Sequence, residues 1–285
     1  MNKRIIKSPI QIGIFCILLL IIGCSENNTS SDPDVGTPPT WSTNPDYLVT
    51  MPSGDDDLSG YTPEAIQYSD GTITTGYSLD QFVTKSITDE LTGITDPEID
   101  SRNLFTFNQI SYDGFTPRIS NNYFGDLAWD DLSQGYWLSM PEYSFRTYFP
   151  QLQEMSITGY NTKNIHKIEL YRTVIVENIN TVEAVFQLSG LKTYPILNYD
   201  DEIEDAIKLS DLITTFITTT PDAVNYIFVG IDDSTMVYGW RHIQGGYYLL
   251  SSETTIFPML SAEMPNEQAR FKHLLKINVF VVYDL

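Results

Sequence analysis

The side chains able to do chemistry in this chain are few and scattered. Its two cysteines are Cys16 and Cys24, and His166, His242 and His273 are its three histidines. None of them has a second histidine or cysteine at zinc spacing, so each histidine reads as a surface or structural residue rather than a ligand or a base. No Gly-x-Ser-x-Gly elbow and no phosphate-cradling glycine loop occurs. Two acidic runs, Asp55-Asp56-Asp57 and the cluster Asp200, Asp201, Glu202, Glu204 and Asp205, carry the hard oxygen donors that calcium takes. Neither shows the alternating acidic pattern with a central glycine and a distal Glu, and both read as solvated loops. The aromatic pairs Tyr136-Trp137 and Tyr247-Tyr248 remain as candidate ligand-binding residues, able to stack on sugar rings or on a partner's apolar surface. Neighbouring residues of a strand point to opposite faces, so at most one of each pair need be buried. No catalytic residue, metal ligand or cofactor is expected.

The amino terminus is more informative. Lys3, Arg4 and Lys7 form a positive segment, followed by an uncharged, mostly Ile/Leu stretch of fifteen residues from Pro9 to Gly23. That is the length of a secretory hydrophobic region and short of the roughly twenty apolar residues a spanning helix needs. The stretch ends Ile21-Ile22-Gly23-Cys24, which resembles the lipobox of bacterial lipoproteins. The resemblance implies cleavage before Cys24, diacylglycerol on its thiol and further acylation of the new amino terminus, and more than one buried chain makes such anchoring stable. Residues 1–23 are then a signal peptide and Cys24 the lipid attachment site.

Cleavage there removes Cys16, so the mature chain forms no disulfide and its folded part offers no thiolate to a metal. Stability has to come from a packed core, for which about 260 residues with 13% aromatic content are ample. Of the 16 basic residues, loss of Lys3, Arg4 and Lys7 leaves 13 against 37 acidic ones, a net charge near −24. Such a surface repels phosphate backbones and excludes nucleic acid as a partner. Residues 24–45, rich in Ser, Thr, Asn, Asp and Pro, read as a flexible tether reaching about 25 Å. Ser25, rather than Asp, after the cysteine favours the outer membrane, at its periplasmic face or at the cell surface.

The rest of the chain carries four blocks that recur in the same order. Trp129, Leu132, Gly135 and Tyr136 align without a gap on Trp240, Ile243, Gly246 and Tyr247. Tyr148-Phe149-Pro150-Gln151-Leu152 matches Ile256-Phe257-Pro258-Met259-Leu260. Upstream, residues 77–82 match 207–212, and downstream residues 166–171 match 275–280. Two repeat units are expected, 46–180 and 181–285.

Each unit has a readable element order. Short helices are expected at 79–87 and 209–215, the second ambiguous with strand through its Thr content, strands at 103–111 and 225–231, and closing strands at 165–176 and 274–282, where Val, Ile and Tyr are dense. The Phe-Pro pairs suit extended backbone, because proline pushes its predecessor out of the helical region. The fold class is α+β, strand-rich and mixed, in two related copies.

The same blocks resemble the molybdopterin-binding domain of sulfite-oxidase-like oxidoreductases. The carriers are Gly76, Leu79 and Val83; Asp113-Gly114-Phe115; Arg146 and Pro150; and Lys167-Ile168-Glu169 in the first unit. In the second they are Phe186 to Leu191, Leu209, Ile213, Asp232, Pro258, Lys276 and Ile277. The resemblance implies a molybdenum held by a cysteine thiolate ahead of the first helix, and a soft sulfur donor suits that metal. The corresponding stretches, 64–76 and 196–208, contain no cysteine, Asp233 replaces the glycine after Asp232, and Thr254 stands where Arg146 does. The expectation is therefore an envelope lipoprotein that binds a small ligand or an envelope protein without catalysis. A molybdopterin-dependent oxidoreductase and a carbohydrate-binding surface lipoprotein are the alternatives.

Overall fold

Mostly short strands rich in β-branched and aromatic residues, punctuated by helices of one or two turns, run through the described residues. The first half comprises β1 (Tyr47–Thr50), β2 (Glu64–Gln67), β3 (Ile73–Ser78), α1 (Leu79–Ser86), β4 (Phe105–Ser111), α2 (Trp129–Ser133), β5 (Tyr136–Met140), β6 (Ser144–Tyr148), α3 (Pro150–Glu154) and β7 (Ile165–Asn178). The second comprises β8 (Thr181–Gln187), β9 (Thr193–Leu197), β10 (Ile203–Lys208), β11 (Val224–Gly230), β12 (Thr235–Gly239), α4 (Trp240–Gly245), β13 (Tyr247–Leu249), β14 (Thr254–Ile256) and β15 (Leu274–Val281). The fold is strand-rich and mixed α+β, as the sequence patterns require. The computed structural model describes residues 42–53, 58–68, 71–87, 94, 96, 98–117, 126–140, 144–154, 159–178, 181–213, 220–260 and 269–281. These belong to one compact unit, Val35–Leu285. Cys24, the signal segment, most of the tether and the Asp55 to Asp57 run lie outside the described residues. Ser42, inside the expected tether, is buried, and its N–H donates to Gln187 Oε1 at 2.7 Å, so this end of the expected tether is part of the packed chain.

Three sheets organise the strands. Two have four strands each, in the orders β2-β3-β5-β6 and β9-β10-β13-β14, antiparallel throughout. The third, of seven strands, runs β1-β7-β15-β11-β12, with β4 and β8 also paired to β7. Its centre is the fourteen-residue β7, which changes neighbours midway. Residues 165–172 pair antiparallel with β4, and 167–170 with β1. Residues 173–178 pair antiparallel with β8, and 175–178 run parallel to β15.

Local geometry recurs between the halves. Leu79 N donates to Gly135 O at 2.9 Å, and Leu209 N donates to Gly246 O at 3.0 Å. Thr147 Oγ1 donates to Tyr160 O and accepts from Thr162 N, while Thr255 Oγ1 donates to Ala269 O and accepts from Phe271 N. Both glycines sit under aromatic rings. A Cβ on Gly135 would lie 2.3 Å from Phe149, and one on Gly246 would lie 2.5 Å from Phe257.

The halves differ at their first helix. Ser78 caps α1 by accepting from Asp80 N at 3.2 Å, Asp80 and Lys85 complement the helix dipole, and Leu79, Phe82 and Val83 bury one face. In the second half Lys208 supplies no side-chain cap, and where a helix over 209–215 is expected the described chain makes a single 3-10 turn, Leu209–Leu212. Apolar side chains form two main cores, one around Phe82, Phe107, Trp137 and Phe149, the other, which takes in Val174 and Val176 of β7, around Tyr226, Phe228, Tyr238 and Phe257.

Candidate functional site

Where β7 changes neighbours, its backbone needs new partners, and the residues that supply them converge on Arg172. The β1 ladder ends as Asp46 N donates to Leu170 O, and the Asp46 carboxylate extends it by accepting from Arg172 N at 2.7 Å. The Arg172 side chain runs inward and is buried, 5% exposed. Its Nε donates to Glu253 Oε1 at 2.9 Å, and its Nη2 donates to Glu253 Oε2, the Tyr248 hydroxyl and Leu274 O at 3.3, 3.0 and 2.9 Å. Its Nη1 donates to Leu104 O and Thr173 O. His273 Nδ1 lies 3.1 Å from Glu253 Oε2. One guanidinium thus joins β7, β15 and the loop between β13 and β14.

The electrostatics follow from that clamp. Burial works to raise the Glu253 pKa, but the charge and hydrogen bonds of Arg172 and the contact with His273 overcome it and hold the carboxyl below its usual range. Burial pushes the Tyr248 phenol up, so it stays neutral. Asp46 keeps much of its surface in solvent, yet desolvation of its carboxyl raises its pKa against the pull of Arg172.

Beside the clamp opens a cavity of about 350 Å³ lined by Asp46, Tyr47, Phe105, Arg172, Leu188, Ser189, Leu250, Ser251 and Glu253. That is the lower end of the range for small-molecule sites, and the mixture of apolar walls with a few fixed polar groups is their usual composition. Phe105 and Leu188 are buried core residues, so the floor is rigid.

The aromatic pairs expected to bind ligand divide by strand parity. Trp137 is fully buried, stacked on Phe145 with ring centroids 4.7 Å apart and packed against Phe82, and Tyr248 is 1% exposed. Neither can serve as an exposed platform, because each faces the core of its own half. Tyr136 and Tyr247 are half-buried on the opposite faces, Tyr136 beside Ile66, Leu138 and Tyr148, Tyr247 beside Ala206, Leu249 and Ile256. The four do not come together. Only Tyr248 reaches the junction, through its hydroxyl.

The remaining chemistry is also distributed. His166 stacks on Tyr112, His242 lies against Tyr238 and Phe257, and His273 serves Glu253. Among the described residues no group of three or more His, Cys, Asp or Glu is placed to hold a metal ion. Within the acidic cluster, Glu204 is buried and accepts from Ser251 N, Ser252 N and Ser252 Oγ at 2.6, 2.7 and 3.1 Å, while its neighbours face solvent. Asp46, Arg172 and Glu253 have no sequence signature: Arg172 is 126 positions from Asp46 and 81 from Glu253, and only folding brings them together.

A pyranopterin does not fit these residues. The stretches where its thiolate would stand form the β2–β3 and β9–β10 hairpins, without cysteine, and the second turns through Asp200, Asp201 and Glu202. The junction cavity presents Asp46 and Glu253 to any phosphate, and the guanidinium that would balance one is already engaged with Glu253. Comparison with family models, with curated proteins and with solved structures finds no match.

Proposed function

We propose that this chain is a lipoprotein of the bacterial envelope, anchored at the outer membrane through Cys24, whose folded part is a non-catalytic binding module built by duplication. The anchor rests on the positive segment, the short apolar stretch and the Gly23-Cys24 junction. Duplication is supported by the two four-stranded sheets of the same order and by the paired hydrogen bonds at Gly135 and Gly246 and at Thr147 and Thr255. Among the described residues no helix is long and apolar enough to cross a membrane.

The observation that carries the binding reading is the junction cavity. Its strongest groups, Arg172 and Glu253, satisfy each other and the surrounding backbone, which fixes them in place and leaves neither free to act as a base. A saturation-transfer NMR screen of small neutral, cationic and anionic aromatic molecules tests it. At least one should bind, and binding should vanish in Ser251→Trp, which fills the mouth from an exposed position. Hits indifferent to that substitution, or no hits, would contradict the reading.

A further inference from the structure

We infer that the junction cavity takes a small organic monocation: an ammonium group carried on an apolar body. The inference rests on the reading of that cavity as the ligand site. The charges lining it are Asp46, Glu253 and Arg172, and the last two cancel at hydrogen-bonding distance. The three groups together carry one net negative charge, and it falls at Asp46, whose hydrogen bond from Arg172 comes from the backbone N–H while the guanidinium, which attracts it only at longer range, is turned to Glu253. A ligand ammonium would supply the cation that this carboxylate lacks.

The walls suit the same ligand. Tyr47, half-buried and edge to face with the buried Phe105 at a centroid distance of 5.5 Å, adds an aromatic wall of the kind that attracts a cation within about 6 Å. Leu188 and Leu250 offer apolar contact to the body. Ser189 and Ser251 also line the cavity, and Ser189 Oγ, which donates to Ser42 Oγ at 3.1 Å, is an oxygen whose lone pairs can accept from an ammonium. A bare metal ion would find too few ligands, and an anion would meet two carboxylates. The large negative charge of the whole chain also draws cations toward the surface.

Isothermal titration of the full lipidated protein in a non-ionic detergent, at pH 7, with benzylammonium, benzyl alcohol and benzoate, tests the assignment. Benzylammonium should bind at one saturable site, at least tenfold more weakly in Asp46→Asn, with affinity kept in Asp46→Glu and lost in Ser251→Trp. Circular dichroism of each variant checks that it is folded. Benzyl alcohol or benzoate binding as tightly as benzylammonium, and lost in Ser251→Trp, would overturn the cation assignment while leaving the cavity as the ligand site. Benzylammonium binding that is unchanged in Asp46→Asn would overturn it too. Binding that survives Ser251→Trp, or none by any probe, would overturn both.

Discussion

Arg172 is buried with its charge, an arrangement that destabilises a protein unless the partner and the remaining N–H groups are all satisfied. Glu253 and Tyr248 provide that satisfaction, so removing one partner should cost more than removing the pair. Glu253→Gln should lower the unfolding free energy by about 3 kcal/mol, and Arg172→Met combined with Glu253→Leu should cost less than Glu253→Gln by itself, both read from urea denaturation. Because the folded-state pKa of Glu253 is depressed, its contribution is present above the unfolded value, near 4.5, and is lost as pH falls through the lower folded value. The stability gap between wild type and Glu253→Gln should therefore narrow below about pH 4.5; a gap that widens on acidification would mean that the carboxylate is not held by Arg172. None of this was legible in the sequence. Strand parity says that Trp137 and Tyr136 face opposite ways, as do Tyr248 and Tyr247, but which face is core depends on residues far along the chain, such as Phe82 and Phe145 around Trp137.

At the level of elements, sequence patterns carried further. The matched blocks at Gly135 and Gly246 mark the turns from α2 into β5 and from α4 into β13, where an aromatic ring and a leucine pack against bare Cα atoms. Gly135→Ala and Gly246→Ala should each cost about 2 to 3 kcal/mol through overpacking. Gly71→Ala, at a positive φ of 86° with nothing within 4 Å of the added Cβ, should cost only the backbone strain, about 1 to 2 kcal/mol. Denaturant midpoints of the three variants check the difference, and equal losses would show that the packing at Gly135 and Gly246 can relax. The strands at 105–111, 165–178, 224–230 and 274–281 fall within two residues of where Val, Ile, Tyr and Phe are densest. Over the described residues the second helix is a single 3-10 turn, and no side chain at Lys208 caps its opening N–H groups. The cavity was hidden because it sits where β7 changes neighbours, and the length of a strand does not reveal which strands flank it.

For the molecule as a whole, β7 decides how the halves depend on each other. Its residues 173–178 supply the parallel partner of β15 and the antiparallel partner of β8, so the second half lacks a neighbour on each of those strands without it. A fragment of residues 181–285 should show no cooperative thermal transition, whereas 165–285 should regain one; a cooperative transition in the shorter fragment would make the halves independent lobes. Charge and cysteine usage, both open to the sequence reader, bear on the rest: as the proposed lipoprotein, this acidic chain loses Cys16 with the signal segment, is stabilised by packing and is located through Cys24. The most direct test is the mass of the amino-terminal peptide of the protein extracted from its own membranes. The predicted result is a peptide that begins at Cys24 and carries diacylglycerol on that residue. A peptide that runs through Gly23 into an unmodified Cys24 would contradict the anchor, and with it the placement of this module at the envelope.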